Sequence, residues 1–390
     1  MKNKKLKVLF IGPFPPPYSG PELSTKQLLE SDLKNHFDII FLNTNVRKDN
    51  SKKGRIDLNA FKSVITFNFK LFKLLLFKRP DVAYHLVTPT EIGWLGRDIW
   101  FIFQCRVFQV KKIIHFRGSH FNINYKRFRP LSKKIIRYAC KFVDKAVVQS
   151  DCLRNQFEGL IDDNRVNVIP NTVDNVFSTL SRKPLNEIPQ ILFFGHLTKA
   201  KGYTDIVKAI PKVASKFPNV KFIFCGNIRR GEPGVKYNQI TGERIVYEDP
   251  FEVESKILNS KYKENYVNQG IVSGEEKMNL IRQSWIFILP SYSEGFSRSV
   301  LESMAAGLPI LTTPVGANKD FVINDFNGVL VQPGDVSSIE QKIIKLLEDE
   351  KLRDNLSNNG KVTFDKEFKE SRVVEKYITL FNSVYNEKNS

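Results

Sequence analysis

Short, nearly uncharged apolar runs of strand length recur along the chain with helix-length segments between them, and this alternation dictates an α/β fold with doubly wound parallel sheets. The first series is Lys7–Gly12, Phe37–Leu42, Pro80–Leu86, Lys112–Phe116, Lys145–Ser150 and Val166–Asn171. Helices are predicted over Glu22–Leu33 and Leu58–Phe77, and after Ser150 or Asp151 as N-cap. Ser181–Gln190, with Pro184 and Pro189, reads as a linker. A second series then begins, with strands Ile191–Gly195, Val220–Cys225, Trp285–Leu289 and Pro309–Thr313, and helices Tyr203–Phe217, Glu275–Ser284, 299–306, Val336–Glu348 and Glu370–Tyr385. The predicted domains are residues 1–180 and 181–365, with residues 366–390 as a terminal helix. Residues 229–263 are longer than an αβ connection needs and read as an insertion.

With 390 residues, 42% of them hydrophobic, the chain can build real cores. Cys105, Cys140, Cys152 and Cys225 have no Cys-x-x-Cys spacing, which argues against a zinc site or disulfide framework and suits a reducing compartment. Pro13 and Pro15–Pro17 cut the first apolar run short of a signal-peptide core, and Arg97, Asp98 and Arg106 break Trp94–Val110 as a membrane span. The expected location is cytoplasmic. The net charge of +19 lies mostly in residues 1–180, with 31 basic and 15 acidic residues. A basic surface interleaved with aromatics favours anionic membranes or nucleic acid.

The most informative local pattern is two carboxylates between a strand and a helix. Ser284–Pro290 reads as a buried strand, and Val300–Ala306 as a short helix ended by Gly307 and Pro309. Glu294 then lies in the strand-to-helix loop and Glu302 on the helix. Open α/β sheets bind ligands there, since the helix N-terminus offers free N–H groups to an anion and a nearby carboxylate suits a pair of sugar hydroxyls. The competing reading makes Ser299 and Glu302 a capping box.

Glu294-x7-Glu302, followed by Ser303-Met304-Ala305-Ala306-Gly307-Leu308-Pro309, resembles the donor-site signature of retaining glycosyltransferases of family 4. The resemblance implies the GT-B fold, two Rossmann-like domains facing a central cleft, and a last helix crossing back to the N-terminal domain. It implies that Glu294 faces the donor sugar and Glu302 binds the ribose. The backbone of Gly295, Phe296 and Ser297 would approach the sugar and diphosphate.

Other stretches carry the likeness further. In Phe194–Gly202, Lys201 stands where the family has its diphosphate-binding Lys, while His196 replaces the usual Arg and lacks its bidentate fork. Arg298 or Arg229 could supply the missing charge. In the loop Gly12–Pro21, Gly20 is the residue without a β-carbon that lets backbone come near a diphosphate or sugar; the family's Gly pair is here Ser19-Gly20. His115-Phe116-Arg117-Gly118-Ser119-His120 follows a strand where similar enzymes show His-Gly; which of His115, Arg117 and His120 reaches the sugar or acceptor stays open, and His120 is the preferred contact. Ile169–Phe177 resembles the family's hinge strand with Thr172 for Gly, and Gln269–Ser273 matches the backbone laid against the nucleotide base.

Phe61–Phe77 is apolar almost all round and reads as a helix packed on its sheet rather than an interfacial one, although Lys62, Lys70, Lys73, Lys78 and Arg79 could flank a membrane-facing strip. Tyr125–Arg137, with six basic residues among Phe128, Leu131, Ile135 and Ile136, is the stronger membrane candidate.

The resulting expectation is a metal-independent, retaining glycosyltransferase with no cofactor. Glu294, Lys201 and His120 would be catalytic, and Gly20, His196 and Glu302 would join them on the donor. Its partners would be a nucleotide-sugar donor, a glycan or lipid-linked acceptor for polysaccharide or glycolipid synthesis, and an anionic membrane surface, with no nucleic acid. The alternatives are an inactive glycosyltransferase-like subunit or a basic nucleic-acid- or membrane-binding protein. A dinucleotide oxidoreductase would show Gly-x-Gly-x-x-Gly after a strand, and the chain lacks it.

Overall fold

The computed structural model describes residues 5–16, 20–45, 58–180, 187–228, 237–258 and 261–387. Ser19, Arg229, the linker residues 181–186 and the insertion residues 229–236 lie outside the described residues. The chain divides into two compact units, Met1–Asn171 with Glu370–Ser390, and Thr172–Lys369.

In the first unit, β1 (Lys7–Gly12), β2 (Asp38–Asn43), β3 (Val82–Leu86), β4 (Lys111–His115), β5 (Lys145–Val148) and β6 (Val166–Val168) form a parallel sheet in the order β2-β1-β3-β4-β5-β6. Its helices are α1 (Gly20–Glu30), α2 (Leu33–His36), α3 (Leu58–Lys78), the single turn α4 (Glu91–Gly93), α5 (Ile99–Val107), α6 (Phe121–Lys126) and α7 (Pro130–Cys140), together with the last helix, α16 (Glu370–Asn386). Alternate side chains of each strand feed two separate cores, because strand side chains alternate in direction. Leu9 and Ile11 join a core with α3, α5 and α7, whereas Val8 and Phe10 join one with α1, α2 and α16. With both faces covered, the central strands are mostly apolar, as in residues 8–11 and 82–84.

Two local expectations fail for identifiable reasons. The first helix stops at Glu30, where the Ser31 hydroxyl takes the Leu28 carbonyl at 2.7 Å and accepts from the Leu33 N–H, and the chain restarts as α2. After β5 the chain makes a 3-10 turn, Asp151–Phe157, in place of an α-helix; Ser150 makes no side-chain cap, and Asp151 binds Arg154 at 2.9 Å.

The second unit has the parallel strands β7 (Gln190–Phe194), β8 (Lys221–Cys225), β9 (Tyr266–Gly270), β10 (Ile286–Leu289), β11 (Ile310–Thr312) and β12 (Val329–Leu330), in the order β12-β11-β10-β7-β8-β9. Its helices are α8 (Asn175–Ser178), α9 (Tyr203–Lys216), α10 (Pro250–Ile257), α11 (Gly274–Gln283), α12 (Arg298–Ala305), α13 (Asn318–Phe321), α14 (Val336–Glu348) and α15 (Glu350–Glu367). The boundaries differ from 180/181 and 365/366 because Val173, Phe177, Leu180 and Phe368 pack into this unit's core. Strands β9 and β12 and helix α15 are not foreseen. The polar α15 is held by the Asp349 cap to the Leu352 N–H and by Arg353, which donates to the Leu346 and Leu347 carbonyls.

The strand order of the second sheet reverses between β7 and β10. Ligands of open α/β sheets lie at such a switch point, outside the carboxyl ends of the strands. The loops leaving those ends are residues 195–202 and 290–297.

Candidate functional site

The two loops at the switch point are tied to each other and to the carboxylate between them. The Tyr292 N–H donates to the Ala200 carbonyl at 2.9 Å, and the Thr313 hydroxyl donates to the Ser291 carbonyl at 2.6 Å. Glu294 is buried, at 8% exposure. Its Oε1 accepts from Lys201 Nζ at 2.6 Å and from the Ser291 hydroxyl at 2.7 Å, and among the described residues none donates to Oε2. A carboxylate fixed through one oxygen with the other left over is suited to a neutral hydroxyl donor such as a sugar.

The backbone of Glu294 is fixed as tightly as its side chain. Gln239, in the described part of the insertion, accepts the Glu294 N–H at 3.0 Å and donates to the Glu294 carbonyl at 2.9 Å. Its own N–H donates to the Tyr292 carbonyl at 3.0 Å. On the other side Gly316, at φ +54°, lets the chain pass so close that a β-carbon there would fall 2.2 Å from the Glu294 carbonyl oxygen. The Ala317 N–H donates to the Gly295 carbonyl at 2.9 Å.

Glu302, on α12, is buried at 5% exposure and carries its own cation: Lys277 of α11 lies 2.6 Å from Oε2, and Arg298 lies 3.8 Å from Oε1. The capping-box reading is therefore overturned. Ser297 is the N-cap of α12, Ser299 lies inside the helix, and Glu302 spends its carboxylate on Lys277. Arg298 also donates to the Thr172 carbonyl at 3.1 Å, so part of its guanidinium is already engaged. Phe296 stacks on Phe321 and meets Phe368 edge-on, which leaves its backbone, with that of Gly295 and Ser297, to line the loop. His196 is exposed on the other loop.

In the first unit the expected contacts separate. His115 is 1% exposed at the end of β4, hydrogen-bonded through Nδ1 to the Tyr84 hydroxyl, and burial holds it well below the ordinary histidine pKa. This corrects its assignment as a sugar or acceptor contact: the ring is a neutral member of the core. Arg117 reaches the Pro21 carbonyl at 3.4 Å, linking the loop after β4 to the start of α1 beside Gly20. Gly118 turns against the Phe116 ring, and His120 is the half-buried N-cap of α6. Gly20 is exposed at the first position of α1.

The residues that sequence reasoning missed are Gln239, Lys277, Ser291 and Gly316. Ser291 alone had a local signal, three positions before Glu294 in the same loop.

The profile of the family described as Glycosyl transferases group 1 matches residues 180–363. The chain is 26% identical over 208 residues, 53% of its length and 49% of the relative's, to the capsular polysaccharide biosynthesis glycosyltransferase CapM of Staphylococcus aureus. Over 123 residues it is 32% identical to the N,N'-diacetylbacillosaminyl-diphospho-undecaprenol alpha-1,3-N-acetylgalactosaminyltransferase of Campylobacter jejuni, covering 30% of this chain and 32% of that one. The matches thus span about half, and about a third, of those relatives' length. Among solved structures, HepE of Anabaena in complex with UDP superposes with a TM-score of 0.70 at 14% identity, covering 97% of this chain and all of that one. The two parallel sheets and this likeness are those of the GT-B fold. Residues 180–363 thus carry the likeness to the glycosyl transferases group 1, and the superposition over nearly the whole chain carries the fold.

Proposed function

We propose that the protein is a retaining glycosyltransferase of family 4, moving a sugar from a nucleoside diphosphate sugar to a hydroxyl of a glycan or lipid-linked acceptor in cell-surface polysaccharide or glycolipid synthesis. The observation that carries this reading is the Lys201–Glu294 pair, on two loops at the switch point of the second sheet, with Glu302 separately held by Lys277. The capsular polysaccharide biosynthesis in the name of CapM, the diphospho-undecaprenol-linked sugar in the name of the Campylobacter jejuni relative and the UDP bound by HepE support it.

In this reading the free oxygen of Glu294 accepts from a donor-sugar hydroxyl and Glu302 accepts from the ribose. Lys201, already beside Glu294, turns part of its charge to the departing diphosphate, with the N-terminal amides of α12 as further donors and no metal required. The acceptor hydroxyl attacks on the face from which the diphosphate leaves, and the leaving phosphate oxygen takes its proton. Within the first unit, His120, Arg117, Gly118 and Gly20 are the residues this reading assigns to the acceptor or sugar. His196 lacks the bidentate fork by which an Arg would hold the diphosphate.

Calorimetric titration with UDP, GDP, ADP and CDP tests the reading. One nucleotide is expected to bind in the micromolar range, and Lys201→Ala and Glu302→Ala should each weaken it at least about tenfold. Failure of all four to bind would sink it in favour of an inactive relative.

A further inference from the structure

Helix α3 is not simply packed on its sheet. Phe67, Leu71 and Leu75 are buried against it, but Ile65, Phe69, Phe72 and Leu76 recur on the opposite side at helical spacing and are exposed, Phe69 at 57%. Two neighbouring helices repeat the arrangement. On α5, Phe101, Ile102 and Cys105 face the core while Trp100, at 54%, and Val107 face out. On α7, Ile136 and Cys140 face in while Leu131, at 69%, Ile135 and Tyr138 face out at i, i+4 and i+7.

These strips belong to one surface. Gln104 of α5 donates to Asn68 of α3 at 3.2 Å, and Phe72 of α3 meets the Phe108 ring just past α5. On the far side of α5, Phe103 meets the Tyr138 ring of α7. The three helices therefore lie side by side over the same face of the first sheet, and each turns an apolar strip away from it. No helix among the described residues is long and apolar enough to cross a membrane.

Charge decides what such a surface fits. The sequences of α3, α5 and α7 contain Lys62, Lys70, Lys73, Lys78, Arg106, Lys133, Lys134 and Arg137 and no Asp or Glu. Long cationic side chains beside exposed aromatics, on helices that carry no acidic residue of their own, match a bilayer whose headgroups are anionic and whose acyl boundary accepts Phe, Trp and Leu. A nucleic acid would use the cations but leave these apolar strips uncovered in water.

We infer that the outer face of α3, α5 and α7 is the surface by which the first unit docks on an anionic lipid bilayer, seated in the interface rather than across it. Its purpose rests on the proposed function, since a lipid-linked acceptor is met at a membrane surface. Its physical basis does not, because it needs neither donor nor acceptor.

Sedimentation with vesicles of phosphatidylcholine, alone or containing phosphatidylglycerol, tests the inference on the full chain, with tryptophan emission as a second readout. Binding is expected only with phosphatidylglycerol present, falling as salt rises. The emission should shift to the blue and lose that shift in Trp100→Phe, since Trp94 is buried before binding and Trp285 lies under Arg353 in the second unit. The exposed positions can be changed without opening the core: Phe69→Ser with Leu131→Ser should reduce binding at least tenfold, and Lys70→Glu with Lys73→Glu by about fivefold or more for each charge removed. Absence of binding to the anionic vesicles would overturn the inference, as would binding that ignores Phe69→Ser with Leu131→Ser. A dimer abolished by the same pair would assign the face to a second copy, and binding to duplex DNA or RNA in place of vesicles would assign the charge to nucleic acid; each overturns it. Nucleotide titration of the same variants separates the two claims. Vesicle binding without nucleotide binding removes the proposed function and leaves the docking face, and the reverse removes only the face.

Discussion

Gln239 closes a two-point clamp on Glu294, its side-chain amide accepting from the N–H and donating to the C=O of that one residue. A carboxamide is the side chain that can do both at once. Gln239→Ala should therefore leave the fold intact and nucleotide affinity within about twofold, while lowering kcat about tenfold as the Glu294 loop loosens. Gln239→Glu, which sets a carboxylate against a carbonyl oxygen, should cost more. Steady-state kinetics separates the cases, and a loss confined to KM would contradict a positioning role.

Lys277 is predicted to govern nucleotide affinity without touching the transferred sugar. Among the described residues, Lys277→Ala leaves Arg298 at 3.8 Å as the cation beside Glu302, so Glu302 turns toward Arg298 and loses its alignment. Nucleotide binding should weaken about tenfold, with kcat nearly unchanged and a stability loss of about 1–2 kcal/mol. Unaltered calorimetric affinity would show that Glu302 does not bind the nucleotide.

Gly316→Ala should be among the most damaging single-methyl changes in the second unit. Its φ of +54° disfavours a side chain, and the added carbon would sit 2.2 Å from one backbone oxygen and 2.7 Å from the next, neither of which can rotate aside. A loss of about 2 kcal/mol or more is expected in denaturant unfolding, with activity falling further than stability. A variant with native stability would mean that the loop around Glu294 yields easily.

Acid should destabilise the first unit below the ordinary histidine range. Burial lowers the pKa of both His115 and His85, for His85 against the opposing Asp98. The unfolded chain, with histidines near about 6.5, then takes up protons that the folded chain refuses. Stability is complete above that value and falls as pH drops below it. Against the burial that raises it, Arg97 and His85 bring Asp98 down to about 2, so its share is lost only in more acid solution. Urea unfolding between about pH 7.5 and 5.5 should show this slope, and His115→Gln should flatten it. An unchanged slope in that variant would mean that His115 protonates within the fold.

The alternation of apolar runs made both sheets legible, because parallel strands buried on two faces leave an unbroken hydrophobic signature. Glu294 and Glu302 were legible because one nine-residue stretch of loop and helix carries them both. Gln239 was not, since it lies 55 residues before Glu294, in an insertion whose place in the fold no periodicity reveals. Lys277 looked like any solvated lysine on a polar helix until packing set it against Glu302. The outward strip of α3 was hidden in the opposite way: a helix apolar all round reads as buried, and only the neighbouring helices show which side was left uncovered. His115 sat in a suggestive motif, but strand alternation aimed it into the core with Tyr84.

Helix α16 fills the core beside β1 and β3 with Val374, Tyr377 and Phe381, and the Tyr377 hydroxyl lies 3.2 Å from that of Tyr84. During synthesis, then, the first unit emerges from the ribosome with one flank of its sheet bare and stays so while the whole second unit is made. The order of completion is inverted relative to the order of translation: the second unit can close first, and the first waits for α16. Premature termination just before Glu370 would accordingly injure the distant N-terminal sheet and spare the unit next to the break.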